Sequence, residues 1–106
     1  MSFIYTARLT IRPGTEEAFH AAVKDMIAAA AADPGTLDYK VFTLENPRQF
    51  VFYESYVDQA ADEAHRNDPV SGEIVQRMVA CIDDSGFALE HWTPVAALST
   101  AAILAK

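Results

Sequence analysis

One glutamate and one histidine stand out as residues that could move protons in this chain of 106 residues. Glu54 is the only charge in the strand-like run 50–57, and an enclosed carboxylate is a candidate for a functional site. His65 follows on a short helix, next to Ala64 and four residues after Ala61, on the small-residue face. A neutral imidazole near pH 7 can take a proton from a phenol or a hydroquinone. The pair predicts base catalysis by His65, with Glu54 orienting the imidazole.

Each of the two residues also has an ordinary structural interpretation. A lone histidine is usually a core residue that hydrogen-bonds a neighbouring strand. An enclosed carboxylate is usually paired with a cation, and Arg8 or Lys40 could reach Glu54 across a sheet. For both residues the structural and the functional interpretation stay open.

Aromatic side chains are numerous enough to line a pocket in which a planar substrate stacks. Trp92 ends the last predicted strand and is the ring expected to reach a pocket mouth, whereas His91 alternates away from it. The same rings could instead be ordinary core. The candidates for substrate binding are Tyr39, Phe42, Tyr53, Tyr56 and Trp92, with Tyr5 as a further ring.

Composition and motif content narrow the function classes. The formal net charge of −7 argues against a nucleic-acid-binding protein, whose surface carries a basic stripe. Three histidines without a close histidine or cysteine partner do not form a recognised metal site. No glycine-rich phosphate loop and no serine hydrolase motif occurs. The sequence therefore predicts no metal and no other cofactor.

Signals of cellular location are few. The lone Cys81 cannot form an internal disulfide, which is compatible with a reducing compartment. Arg8 and Arg12 interrupt the N-terminal apolar stretch, which alternates like a strand and not like a signal peptide. No apolar run approaches the roughly 20 residues that span a bilayer. We expect a cytoplasmic protein with no membrane partner.

The elements that must position these residues follow the order β-α-β-β-α-β, with the second helical part broken in two. This is the ferredoxin-like α+β pattern, in which two crossovers place the helices on one face of a four-stranded antiparallel sheet. We expect one domain over 1–93 and an apolar tail over 94–106. The predicted strands are 3–12, 36–45, 50–57 and 87–92, and the predicted helices are 15–32, 59–67 and 71–82.

The run 50–57 is apolar on both faces. Phe50, Phe52 and Tyr56 alternate with Val51, Tyr53 and Val57. A strand of this kind has both of its faces covered. Because the helices of so short a chain cover only one face, we expect a homodimer that pairs the open sheet faces.

Three stretches carry a resemblance to the antibiotic biosynthesis monooxygenase domain family, which are small dimeric α+β barrel proteins. The first is Arg-Pro-Gly-Thr-Glu-Glu-Ala-Phe over 12–19, and the second is Asp-Pro-Gly-Thr-Leu-Asp-Tyr over 33–39. The third is Phe-Tyr-Glu-Ser-Tyr over 52–56, leading to Glu-Ala-His over 63–65. Their order and spacing over about 3–92 imply the same fold.

The resemblance implies an oxidation of a phenolic, hydroquinone or polycyclic aromatic molecule by O₂ without metal or flavin. Relatives isomerise small metabolites, degrade haem or have no known activity, so an isomerase and a non-catalytic dimeric binding protein stay as alternatives. Departures from the family pattern are Tyr56 in place of a tryptophan and Val70 in place of a second histidine. Ala7 and Ile74 stand where haem-degrading relatives carry an asparagine and a histidine, which argues against haem degradation.

Overall fold

The computed structural model describes residues 2–96. Its elements are β1 (Phe3–Ile11), α1 (Glu16–Ala31), β2 (Thr36–Thr43), β3 (Gln49–Tyr56), α2 (Gln59–Asn67), α3 (Pro69–Val79) and β4 (Ile82–Trp92). The four strands form one antiparallel sheet in the order β2-β3-β1-β4. The predicted ferredoxin-like α+β fold is confirmed.

The core lies between the helices and one face of the sheet. The Phe19 ring of α1 is fully buried and packs on Phe50 of β3, with 4.6 Å between the ring centroids. The main contacts of α1 are with α3 and β2, and those of α2 are with α3, β2 and β3. The helix-facing side of β4 is left partly uncovered, so Phe87 and Leu89 are about half exposed. α1 buries Phe19, Ala22, Met26 and Ala30 at helical spacing.

β4 begins five residues earlier than the predicted strand 87–92. Leu9 pairs with Phe87 and Ile11 with Ile82. Between these two pairs β4 has more residues than β1, so β4 forms a bulge there. Gly86 lies in the bulge with a φ of 73°, a backbone conformation that glycine adopts without strain. The prediction of a loop over 83–86 was wrong because the Asp-Asp-Ser-Gly sequence is also suited to a bulge.

The helix starts are partly as predicted. Asp58 caps α2, since its carboxylate accepts a hydrogen bond from the Ala61 amide at 2.8 Å. α3 starts at Pro69, earlier than predicted, because the Asp68 carboxylate caps it and proline suits the first helical turn. Thr15 precedes α1, but its hydroxyl makes no cap and donates to the carbonyl of Arg12 at 2.6 Å.

The predicted domain boundary falls near the end of the described chain. β4 ends at Trp92, and of the predicted tail 94–106 the residues 97–106 lie outside the described residues. Among the helices of residues 2–96, none has both the length and the apolarity of a membrane span. The limits 1–93 and 94–106 stay a prediction.

Two glycines give opposite predictions for stability. A Cβ at Gly35 would lie 2.9 Å from the Ala61 Cβ of α2, so Gly35→Ala is expected to lower the free energy of unfolding by about 1–3 kcal/mol. At Gly72 in α3, the nearest atom would be 3.8 Å away. Gly72→Ala is therefore the matched control and is expected to raise that free energy by about 0.5–1 kcal/mol. Urea unfolding of both variants measures the difference, and equal effects would contradict a close approach of α2 to Gly35.

Candidate active site

A cavity of about 480 Å³ lies between the sheet and the helices α2 and α3. Its walls are mostly apolar, and the uncovered side chains of β4 leave it open to solvent on one side. The polar side chains in its lining are Tyr5, Tyr39, Glu54, Gln59, Asp62, His65, Arg66 and His91. The arrangement combines a large apolar surface with a small set of proton-carrying groups, which is typical of small-molecule sites.

Glu54 is 7% exposed and lies within hydrogen-bond distance of two tyrosine hydroxyls. Its Oε1 is 2.8 Å from the Tyr5 hydroxyl oxygen and 2.5 Å from the Tyr56 hydroxyl oxygen. Tyr5 lies opposite Glu54 on β1, and Tyr56 lies two residues further along β3 on the same face. Burial raises the pKa of the Glu54 carboxyl, and the two hydrogen bonds offset this effect only in part.

The alternative in which Glu54 pairs with Arg8 or Lys40 is wrong. Arg8 lies opposite Val51 and Lys40 lies opposite Tyr53, on the other face of the sheet. Adjacent residues of a strand point to opposite faces, so Val51 and Tyr53 point away from the face that carries Glu54. Their cross-strand partners Arg8 and Lys40 therefore cannot reach the Glu54 carboxylate.

His65 is 4% exposed and lies on the cavity wall. Its Nδ1 is 3.7 Å from Asp33 Oδ2 and 3.5 Å from Ser71 Oγ. The imidazole also neighbours the rings of Tyr56 and Tyr39, with centroid distances of 5.5 and 6.0 Å. Within residues 2–96 no hydrogen bond reaches Nε2, so this nitrogen is available to a ligand.

The carboxylate beside the imidazole is Asp33 and not Glu54, since among the described residues no hydrogen bond joins Glu54 to His65. Asp33 is held in place by the Gly35 amide at 3.0 Å and the Thr36 hydroxyl at 2.9 Å. In the sequence, the Asp-Pro-Gly stretch that starts at Asp33 indicates only the end of α1. A carboxylate at this distance can orient the imidazole and stabilise its protonated form.

Asp62 is a second buried carboxylate that sequence reasoning missed. It is 3% exposed, and its Oδ1 accepts from the Tyr5 hydroxyl at 3.2 Å. Its Oδ2 accepts from the Arg66 guanidinium, at 3.1 Å from Nη2 and 3.2 Å from Nε. Asp62 precedes His65 by three residues, so helical spacing alone could have placed it on the same face.

The predicted aromatic residues divide between the two faces of the sheet. Tyr39 and Tyr56 lie near His65, whereas Phe42, Tyr53 and Trp92 lie on the face without helices. Phe42 and Trp92 are 53% and 52% exposed there. We call this surface the helix-free face, and it carries Ile4, Thr6, Arg8, Phe42, Val51, Tyr53 and Trp92. The structure therefore does not bring all five predicted binding residues together with His65.

His91 lies on the cavity side of β4, away from Trp92 as the alternation predicts. Its ring is 5.7 Å from that of Tyr5, between centroids. The exposed His20 of α1 lies outside this cavity. Among residues 2–96 no group of three histidine, cysteine, aspartate or glutamate side chains is arranged to hold a metal ion.

The buried tyrosines predict a loss of stability at alkaline pH. Burial raises the pKa of Tyr5, Tyr39 and Tyr56 far above the usual tyrosine value. Because the pKa is raised in the folded state, this contribution to stability is complete below about pH 10 and is lost above it, where only the unfolded chain ionises. We expect the free energy of unfolding to fall above about pH 10. In a spectrophotometric titration, phenolate formation by these three residues in a protein that keeps its circular dichroism would contradict this.

Comparison with known proteins agrees with the geometry. A family model described as antibiotic biosynthesis monooxygenase matches residues 2–77, which include Tyr5, Asp33, Glu54, Asp62 and His65. No curated protein matches the chain.

Solved structures share the fold at low sequence identity. Rv0793 from Mycobacterium tuberculosis has a TM-score of 0.82 at 21% identity, over 93% of this chain and 100% of that one. A putative antibiotic biosynthesis monooxygenase from Bacteroides thetaiotaomicron has a TM-score of 0.82 at 22% identity, over 90% of each chain. One from Nitrosomonas europaea has a TM-score of 0.81 at 15% identity, over 89% of this chain and 90% of that one. At these identities the likeness supports the fold alone.

Proposed function

The chain belongs to the antibiotic biosynthesis monooxygenase family, and on this premise we propose that it is a monooxygenase acting on a phenolic, hydroquinone or polycyclic aromatic molecule. The reaction uses O₂ and needs neither metal nor flavin. The observation that carries the proposal is the apolar cavity with the unpartnered Nε2 of His65 in its wall. A planar substrate fits such a surface by stacking.

His65 acts as the base in this proposal. Nε2 takes the proton of the substrate hydroxyl, and Asp33 beside Nδ1 stabilises the resulting imidazolium. The phenolate gives one electron to O₂, and the phenoxyl radical and superoxide combine at a ring carbon. The imidazolium returns its proton to the peroxide, which then loses water to leave a quinone. A phenol and O₂ thus give a quinone and H₂O, and His65 is neutral again. The protein contributes proton removal, orientation and a site with little water.

Substrate contacts are proposed for the aromatic residues on both faces. Tyr39 and Tyr56 support the cavity next to His65. Phe42, Tyr53 and Trp92 stay predictions for substrate binding, and their place on the helix-free face favours contact with a second subunit. The proposed assembly is a homodimer that pairs the helix-free faces, because Phe42 and Trp92 would otherwise stay exposed to water. The proposed location is the cytoplasm, with which the buried free thiol of Cys81 is compatible.

A proton-transfer enzyme, such as a small-metabolite isomerase, is the second candidate. It is favoured by the carboxyl and hydroxyl groups around Glu54, which can move protons without O₂. Both candidates use the same cavity and the same base, so mutation of His65 does not separate them.

The dependence on oxygen separates the two candidates. Turnover of a given hydroquinone is compared in air and under argon, and the product formed in air from isotopically labelled O₂ is analysed by mass spectrometry. We expect turnover only in air and one labelled oxygen atom in the product. Equal turnover under argon would refute oxygenation and support the isomerase.

A further inference from the structure

Three short oxygen-oxygen contacts around Glu54 involve only two tyrosine hydroxyls. Four oxygens follow one another: Tyr56 Oη to Glu54 Oε1 at 2.5 Å, Glu54 Oε1 to Tyr5 Oη at 2.8 Å, and Tyr5 Oη to Asp62 Oδ1 at 3.2 Å. If both carboxyl groups were ionised, Tyr5 would have to share its single hydrogen between two anions. A third hydrogen on Glu54 or on Asp62 gives each of the three contacts a hydrogen of its own.

The surroundings of the two carboxyl groups decide between them. Asp62 holds the Arg66 guanidinium through two contacts of 3.1 and 3.2 Å, which favours its ionised form. Glu54 contacts no cation among residues 2–96, and its partners there are two hydroxyls. An unpaired charge in such a buried place is costly, so the proton belongs to Glu54.

We infer that Glu54 carries a proton in the resting protein, and that Tyr5 connects it to Asp62 as a path for protons between two buried carboxyl groups of the cavity wall. Glu54 Oε1 donates to the Tyr5 hydroxyl, which donates to Asp62. Asp62 is buried as well, and it holds the guanidinium of Arg66, whose side chain is 56% exposed. The path thus joins the buried acid Glu54 to the ion pair of Asp62 and Arg66.

A neutral carboxyl passes a proton on without changing its own charge. Oε2 accepts no hydrogen bond from residues 2–96 and can receive a proton. When a proton binds there, the proton on Oε1 moves to Tyr5. The Tyr5 proton moves to Asp62, so one proton has moved and Glu54 is neutral again. The use of this path in turnover rests on the proposed function, whereas the protonation of Glu54 is a property of the resting protein.

Titratable groups from several elements face Glu54 and fit this assignment. Burial is the main cause that raises the pKa of Glu54, and the negative charge of Asp62 adds to it, whereas the two tyrosine hydroxyls and a protonated His65 act in the opposite direction. α3 adds only apolar side chains to the cavity wall. The groups are Tyr5 and His91 on β1 and β4, Tyr39 and Tyr56 on β2 and β3, and Asp62, His65 and Arg66 on α2.

The test is carbon NMR of protein whose glutamates are labelled at the side-chain carboxyl. The chain has seven glutamates, and we expect one of their signals to keep the shift of a neutral carboxyl at about pH 7. This signal is expected to be lost in Glu54→Gln and to be retained in Asp62→Asn. Ionisation of all seven at about pH 7 would overturn the assignment.

A second measurement tests the path through Tyr5. In Asp62→Asn the Tyr5 hydroxyl is free to donate to Glu54, so the Glu54 signal is expected to titrate at lower pH. In the Tyr5→Phe background, the same Asp62→Asn change is expected to have a smaller effect. An equal shift with and without the Tyr5 hydroxyl would overturn the path, and circular dichroism confirms that each variant is folded. Neither measurement depends on a substrate, so failure of the proposed oxygenation would leave their result unchanged.

Discussion

Replacement of His65 by glutamine is expected to lower kcat for the oxidation of a hydroquinone by about 10²- to 10⁴-fold, the usual contribution of a general base. Glutamine keeps much of the size of the side chain but cannot take a proton at neutral pH. The imidazole Nε2 is available in the cavity wall, and Asp33 stabilises the ring from the Nδ1 side. KM is expected to change much less than kcat, because the proton is transferred only in the chemical step.

The matched control is His20→Gln, which makes the same chemical change at an exposed position of α1 outside the cavity. It is expected to leave kcat within about twofold of the parent protein. Steady-state kinetics and circular dichroism of both variants separate catalysis from folding. A His65→Gln enzyme that keeps its kcat would rule out His65 as the base, whatever reaction the protein performs.

Placing a carboxylate on the helix-free face is expected to dissociate the proposed homodimer. Phe42 is 53% exposed in the single chain, so Phe42→Asp has little effect on folding of the subunit. In a dimer of paired helix-free faces, the same side chain is buried against the partner. An unpaired buried charge costs about 3 kcal/mol or more, which corresponds to a rise in the dimer Kd of about 100-fold or more.

Sedimentation at micromolar concentration measures the effect on the dimer. Val70→Asp is the control, since Val70 is a 62% exposed apolar residue on α3, away from the helix-free face. This variant is expected to remain dimeric. A parent protein that sediments as a monomer at this concentration, or a Phe42→Asp variant that stays dimeric, would show that the helix-free faces do not pair.

Local signals in the sequence were enough for most of the fold. The N-cap residue Asp58 and the small and polar residues after it predicted α2 at the residues where the structure has it. This signal is local, because an N-cap and the first turn of its helix are adjacent in sequence. The start of β4 could not be read in this way. It depends on the pairing of Ile82 with Ile11, which lies on a strand more than sixty residues earlier.

The site was predictable only where residues share one element. The alternation of β3 places Glu54 and Tyr56 on one face of the sheet. Helical periodicity likewise places His65 on one face of α2, together with the α2 residues three or four positions away. The partners Tyr5 and Asp33 are set by strand register and by the end of α1, which a single sequence does not reveal. Tyr39 and Phe42 are three residues apart on one strand, so the alternation of side chains places them on opposite faces of the sheet and not in one pocket.

The most direct test of the proposed function is oxygen uptake by the purified protein, freed of metal and flavin, with a panel of hydroquinones and polycyclic phenols. An oxygen electrode follows uptake, and chromatography follows the quinone. We expect at least one compound to be oxidised with one O₂ consumed for each quinone formed, at a rate that rises with protein concentration. Absence of protein-dependent uptake across the panel would contradict a cofactor-free monooxygenase of phenolic substrates.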